Sequence, residues 1–172
     1  ILAKIEALAA DVDFPLLAKE VGCGIGASTA TRLAAAGVAA IDVSGAGGTS
    51  WAKIEAARAS DPAQRTLGEV FGDWGIPTTE ALIGCRTALP GFPLVASGGV
   101  RTGVDAAKAL ALGADMVAVA MPLLGPATRS AEETEAALRQ ILAELRTTMF
   151  LLGIPDIPTL KRSRALLREV GL

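Results

Sequence analysis

An α/β fold with a parallel sheet follows from two features of this 172-residue sequence. Short apolar runs alternate with segments of helical spacing, the βαβα order that gives parallel strands covered by helices. The order also contains an echo. Ala30 to Val38 and Ala106 to Ala114 each read as a helix, a closing glycine and the start of a buried strand. Repeated βα units suit a (βα)8 TIM barrel better than an open sheet, because no Gly-x-Gly-x-x-Gly opens a helix near the start. A whole barrel needs roughly 250 residues. Four strands in 172 residues therefore make about half of one.

Each element has its own signal. Ile1, Ile5, Leu8 and Ala9 repeat at helical spacing, so residues 1–14 are read as the end of a helix and a loop. Pro15 to Val21 is a buried strand, and Ala27 to Ala36 a helix closed by Gly37. Val38 to Ser44 is the second strand. Residues 52–60 are helical, and 61–75 are an irregular polar insertion ending in Asp73-Trp74-Gly75. A helix over Thr78–Leu89 follows Pro77, with Thr78 as its N-cap. Pro93 to Ser97 is the third strand, Gly103 to Leu112 a helix stopped by Gly113, and Met116 to Ala120 the fourth strand. Terminal helices fill 131–172, a long one over 131–152 and a short one from Thr159. Lys161, Arg162, Arg164 and Arg168 are expected to form a solvated face on the last helix. The sequence begins at Ile1 inside a helical pattern, so the chain is expected to be a piece of something longer.

Composition narrows the chemistry. At 51% hydrophobic residues and a net charge of -2, the chain reads as one soluble domain with a large core. That balance gives no electrostatic reason to expect nucleic acid. No apolar stretch reaches membrane-spanning length free of Gly, Pro or charge. Cys23 and Cys85 have no paired spacing, which fits a reducing cytoplasm and offers no metal motif. The chain has no histidine and no tyrosine, which removes Ser-His-Asp and Cys-His schemes from within it.

Three places can carry a ligand. The run Asp42-Val43-Ser44-Gly45-Ala46-Gly47-Gly48-Thr49-Ser50-Trp51 sends an apolar strand into three glycines, hydroxyls and an indole. Backbone without Cβ atoms lets a ligand approach the main chain, and strand ends of this kind hold ligands in α/β proteins. The plain alternative is a tight βα turn. Ser97-Gly98-Gly99-Val100-Arg101 ends the third strand and opens the helix at Gly103, and Ala120-Met121-Pro122 ends the fourth. If these are the last two strands of a barrel, the fold usually binds phosphate there. Lys19, near the end of an apolar strand, offers a fixed positive charge or a proton, or else snorkels to solvent. Glu20 alternates with it and is expected to face away. Asp42 and Ser44 share a face with Lys19, so an Asp42–Lys19 contact is expected with or without a ligand. Trp51 is read as facing the ligand, and Trp74 as a packing anchor for the insertion.

These blocks carry a resemblance. Lys19-Glu20-Val21-Gly22, the Asp42–Trp51 run, Asp73-Trp74-Gly75-Ile76-Pro77 and Ala96-Ser97-Gly98-Gly99-Val100-Arg101 occur in the same order in the type 2 isopentenyl-diphosphate isomerases, and Ala109 to Asp115 is similar as well. The match covers roughly residues 15–125. It implies a (βα)8 barrel binding FMN at its mouth, with residues 1–172 as the C-terminal half of that single domain, supplying about the last four βα units. It also implies homo-oligomers, and interconversion of isopentenyl and dimethylallyl diphosphate with FMN reduced by NADPH and with Mg²⁺. It further implies that Lys19 meets the flavin ring and that Ser44 and Thr49 bond the flavin or its chain. Gly98, Gly99, Val100 and Arg101, with Ala120 and Met121, would hold the phosphate, and Trp51 would line the isoprenoid site. Met121 stands where the family commonly has a smaller residue or arginine. The family's Mg²⁺-binding glutamate and its His, Asn and Gln segment would precede Ile1, so this chain alone is expected to be inactive. Two alternatives stand beside this reading: an FMN oxidoreductase of the 2-hydroxyacid oxidase type, and a non-catalytic half-barrel that binds FMN or phosphate.

Overall fold

The computed structural model describes residues 1–163 and residue 166. Four short parallel strands lie side by side in chain order: β1 (Leu17–Lys19), β2 (Ala40–Asp42), β3 (Leu94–Ala96) and β4 (Met116–Val117). Doubly wound sheets reverse their strand order at a switch point. Here the order never reverses, as in the wall of a barrel. Backbone pairing continues past the strand ends, with the Val43 amide donating to Val95 O (3.0 Å) and Gly45 to Ser97 O (3.1 Å). The longer strands expected from the apolar runs are thus paired where the regular ladder has already stopped.

The helices are α1 (Leu2–Asp11), α2 (Ala27–Ala35), α3 (Trp51–Arg58), α4 (Pro62–Val70), α5 (Thr78–Ala88), α6 (Gly103–Ala111), α7 (Met121–Ala127), α8 (Ala131–Leu151) and α9 (Ile157–Arg162). The internal echo is real: α2 and α6 each end at a glycine with positive φ, Gly37 (92°) and Gly113 (108°), and each leads into a strand. Only the left-handed turn lets the chain reverse so abruptly, and glycine adopts it without a Cβ penalty.

Period-two alternation divides the sheet's faces. Ile41, Val43, Leu94 and Ala96 are buried together with Leu33, Leu82 and Cys85, which makes the main core between strands and helices. A second core joins α6, α8 and α9 through Ala107, Leu110, Met149, Ile154 and Leu160. The other sheet face is open. Leu17 and Met116 are 49% and 64% exposed on it, although parallel sheets are normally covered on both faces.

Several expectations need correction. The insertion 61–75 contains a regular helix, α4, with Asp61 as N-cap accepting from the Ala63 amide (3.2 Å) and Pro62 in its first turn. Its large side chains, Leu67 and Val70 with the following Phe71, stay exposed, so no buried stripe marks it. Trp74 does not anchor the insertion. It is 71% exposed, and its ring meets that of Phe71 edge-on, at 5.6 Å between centroids. The insertion is tied instead by Ser50 Oγ donating to Gly72 O (2.7 Å) and by a Lys53–Asp73 ion pair (2.6 Å). Thr78 is not the N-cap of α5; Pro77 holds that position, and the Thr78 hydroxyl donates to Gly98 O (2.6 Å). Met121 opens a seven-residue helix that the sequence pattern did not announce. In the basic tail, Lys161 pairs with Asp115 rather than facing solvent alone, while Arg164 and Arg168 lie outside the described residues.

The two cysteines differ sharply. Cys85 is fully buried and its thiol donates to Ile25 O (3.2 Å); burial pushes the thiol pKa up, and Arg86 offsets this only in part. Cys23 is exposed. A thiol-specific reagent should therefore titrate one cysteine in the native protein and both after denaturation. Two reactive thiols in the folded state would contradict this packing.

Candidate functional site

All ten residues singled out from sequence line one cleft of about 440 Å³ at the C-terminal ends of the strands: Lys19, Ser44, Thr49, Trp51, Gly98, Gly99, Val100, Arg101, Ala120 and Met121. That size falls in the range of small-molecule sites. Register explains much of the convergence. Lys19 pairs with Asp42 across β1 and β2, and Asp42 with Val95 across β2 and β3, so their side chains share the open face.

On the cleft floor lies a polar cluster. Lys19 Nζ donates to Asp42 Oδ2 at 2.9 Å, as expected, and makes longer contacts to Ser44 Oγ (3.4 Å) and Glu20 O (3.3 Å). Asp42 Oδ1 accepts from Ser97 Oγ (2.6 Å) and from the Ser44 amide (3.1 Å). Asp42, Ser44 and Ser97 are the buried polar residues among those described, and all belong to this cluster. Glu20 lies outside the cleft and accepts from the amides of Gly22 (2.6 Å) and Gly24 (3.1 Å), which braces the loop after β1. The sequence reading named Ser97 only as the start of a glycine turn and Thr78 only as a helix cap, and gave neither hydroxyl a role in the site. Nothing in their neighbours' spacing marks a hydroxyl that reaches across to another strand or turn.

The two glycine runs pack backbone against backbone. A Cβ on Gly98 would sit 2.1 Å from Gly45 O, and one on Gly99 2.5 Å from Gly47 O. Both residues have positive φ, 94° and 79°. Arg101 clips the two loops together, donating to Gly47 O (3.1 Å) and Gly99 O (3.3 Å). The tight-turn and ligand readings of these glycines are therefore compatible, since close packing of the two loops shapes the cleft wall.

The helix start after Gly99 differs from expectation. Its capping box is complete: Thr102 Oγ1 accepts from the Asp105 amide (3.1 Å), and Asp105 Oδ2 accepts from the Arg101 and Thr102 amides (3.2 and 3.0 Å). The Gly103 amide donates to Glu144 Oε2 of α8 (2.7 Å). Burial works to raise the Asp105 pKa, but the bonds from Thr102 and these two amides outweigh it and keep the carboxyl below its usual range. Two carboxylates thus occupy the α6 terminus where an anion was expected. Among the described residues, the amides of Gly99, Val100, Ala120 and Met121 take no hydrogen bond, and all four residues line the cleft. A phosphate suits these donors, beside Arg101, rather than the occupied helix end.

The sequence of residues 2–167 matches the family model of FMN-dependent dehydrogenases. The chain belongs to that family. Its relatives include an isopentenyl-diphosphate delta-isomerase of Stutzerimonas stutzeri (strain A1501), 51% identical over 166 residues, covering 96% of this chain and 48% of that protein. Another isopentenyl-diphosphate delta-isomerase, from Nostoc sp. (strain PCC 7120), is 49% identical over 98% of this chain and 48% of its own length. The chain spans about half the length of the curated relatives it matches. Among solved structures of similar fold is a mandelate oxidase variant with the monooxide FMN adduct, at a TM-score of 0.70 and 26% identity. It is matched over 94% of this chain and 45% of its own. A family built around FMN accords with four unpaired amides, an arginine and a lysine lining one cleft. The partial coverage accords with a sheet open on one face. Among the described residues no group of three or more His, Cys, Asp and Glu side chains could hold a metal, and no helix is long and apolar enough to cross a membrane.

Proposed function

We propose that this chain forms the phosphate side of the FMN site in an isomerase that interconverts isopentenyl and dimethylallyl diphosphate. One observation carries the reading: Lys19, Thr49, Gly99, Val100, Arg101 and Met121 line a single cleft whose free amides and cations suit a phosphate-bearing cofactor. Identity of 51% to an isomerase, against 26% to a mandelate oxidase, favours isomerisation over hydroxyacid oxidation.

An allylic shift adds a proton at one carbon and removes one from another, and reduced FMN supplies an acid–base group for this when bound. The chain's own residues position and stabilise. Lys19 presents a fixed positive charge toward an anionic ring edge, while Ser44 and Thr49 offer hydroxyls to the cofactor. Gly99, Val100, Ala120 and Met121 give backbone N–H donors to the phosphate, with Arg101 adding charge. Trp51, at the start of α3, gives the isoprenoid a flat apolar wall. NADPH as reductant, a Mg²⁺ ion liganded from outside this chain, a homo-oligomeric assembly, a cytoplasmic location and a preceding half-barrel over the open sheet face complete the proposal. None of these parts requires nucleic acid or a membrane.

The test is addition of FMN to the complete protein containing this span, followed by an isopentenyl diphosphate assay under reducing conditions. Retained flavin absorbance and formation of dimethylallyl diphosphate are expected. Failure to retain FMN would sink the cofactor site; retained FMN with oxidation of a 2-hydroxy acid would replace the isomerase by an oxidase.

A further inference from the structure

We infer that Asp42, braced by Ser97, is a positioning residue that holds the Lys19 ammonium against the cleft wall, where it can face an anionic ligand. The inference rests on the FMN reading for the ligand's identity but not for the geometry.

The asymmetry of the ion pair is the first observation. The Asp42 side chain is 5% exposed and that of Lys19 52%, so the carboxylate is sealed beneath an ammonium that stays open to the cleft. A buried carboxylate is tolerated only when its oxygens are satisfied. Asp42 meets that condition from three directions: Lys19 on Oδ2, and Ser97 Oγ with the Ser44 amide on Oδ1. The side chains of Lys19, Asp42 and Ser97 come from β1, β2 and the turn after β3, so the carboxylate is fixed by the sheet itself.

Ser44 supplies the second observation. It is the non-glycine residue with positive φ (36°) among those described, a conformation that stores strain and is kept only where surroundings impose it. Its amide is held by Asp42, and its hydroxyl lies 3.4 Å from Lys19 Nζ. The ammonium therefore has one short bond, to Asp42, and two long contacts, to Ser44 and Glu20 O. The short bond anchors it, and the long contacts can be exchanged for a better acceptor entering the cleft.

This role makes a prediction opposite in sign to simple Coulomb attraction. Asp42→Asn removes a negative charge from an anion site, which by charge alone tightens FMN binding. If Asp42 acts through Lys19, the same variant weakens FMN binding by about tenfold or more, because the cation is no longer held. Ser97→Ala should weaken binding in the same direction but less, and Ser97→Thr, which keeps the hydroxyl, should restore it. FMN dissociation constants of the complete protein read these effects, with thermal melting as the check on folding; if Asp42→Asn does not fold, the Ser97 pair decides. A second measurement needs no flavin. Acylation of Lys19 relative to Lys4, read by peptide mass spectrometry on flavin-free protein, should rise several-fold in Asp42→Asn. Unchanged Lys19 labelling overturns the positioning role whatever the cofactor proves to be. Tighter FMN binding in Asp42→Asn also overturns it, leaving Asp42 as a plain repulsive charge. If wild-type protein binds no FMN but Lys19 labelling rises in the variant, the cofactor reading fails and the positioning stands.

Discussion

Gly98→Ala is expected to destabilise the protein by about 3 kcal/mol and to weaken FMN binding as the cleft wall shifts. Two costs combine. At φ 94° an L side chain is strained by about 1 kcal/mol, and an added Cβ would lie 2.1 Å from Gly45 O and 2.9 Å from Thr78 Oγ1. The contact with Gly45 is to backbone, so relief requires the two glycine loops to part, an overpacking cost of about 2 kcal/mol. Gly91→Ala provides the comparison. Its φ is also positive (77°), but nothing lies within 4 Å of the added atom, so only the strain of about 1 kcal/mol should appear. Urea unfolding of both variants measures the difference. Equal losses at the two positions would show that the loop-on-loop contact does not limit the structure.

Arg86→Ala should cost about 3 kcal/mol through a different mechanism. From α5, the Arg86 guanidinium donates to Gly113 O (2.7 and 2.9 Å), Leu89 O (3.2 Å), Phe92 O (3.0 Å) and Asp115 Oδ2 (2.7 Å). It sits at the N-terminal ends of β3 and β4, the barrel face associated with stability rather than catalysis. Removing it leaves several part-buried acceptors without their donor. Asp115 also accepts from the Leu94 amide (2.9 Å) and from Lys161. Burial acts to raise its pKa, but the bonds from Lys161, Leu94 and Arg86 outweigh that effect and hold the carboxyl below its ordinary value. A carboxyl with a lower pKa in the folded state binds more protons when unfolded, so its stabilisation is present above the unfolded value and lost as pH falls through the folded one. Asp115→Asn should thus be less stable than wild type at neutral pH, and the gap should close below about pH 4. Denaturant midpoints across pH test both variants, and a gap that persists in acid would remove the carboxylate's charge from the explanation.

The arrangement of elements is legible because local signals agree with one another. Capping glycines at Gly37 and Gly113, apolar runs before Asp42 and Ser97, and the recurrence of βα units all point to parallel strands in chain order. Helix α4 escapes that reading although Asp61-Pro62 is a sound N-terminal signal. Its apolar side chains are exposed and its surroundings polar, so the periodic cue lacks a buried face. Trp74 misleads for a related reason: an aromatic residue in an insertion is usually packed, and this one is not.

The sequence by itself determined the βα order, the glycine turns at the strand ends that border the cleft, and the Lys19–Asp42 contact, because strand periodicity and parallel pairing place those two side chains on one face. Tertiary structure alone decided three things. Ser97 and Thr78 reach across strands and turns, and Asp105 and Glu144 occupy the α6 terminus that looked ready for an anion. The two glycine loops press together at Gly98 and Gly45. Each depends on contacts between segments far apart in the chain, through hydrogen bonds and close approaches that leave no periodic trace in the residues themselves.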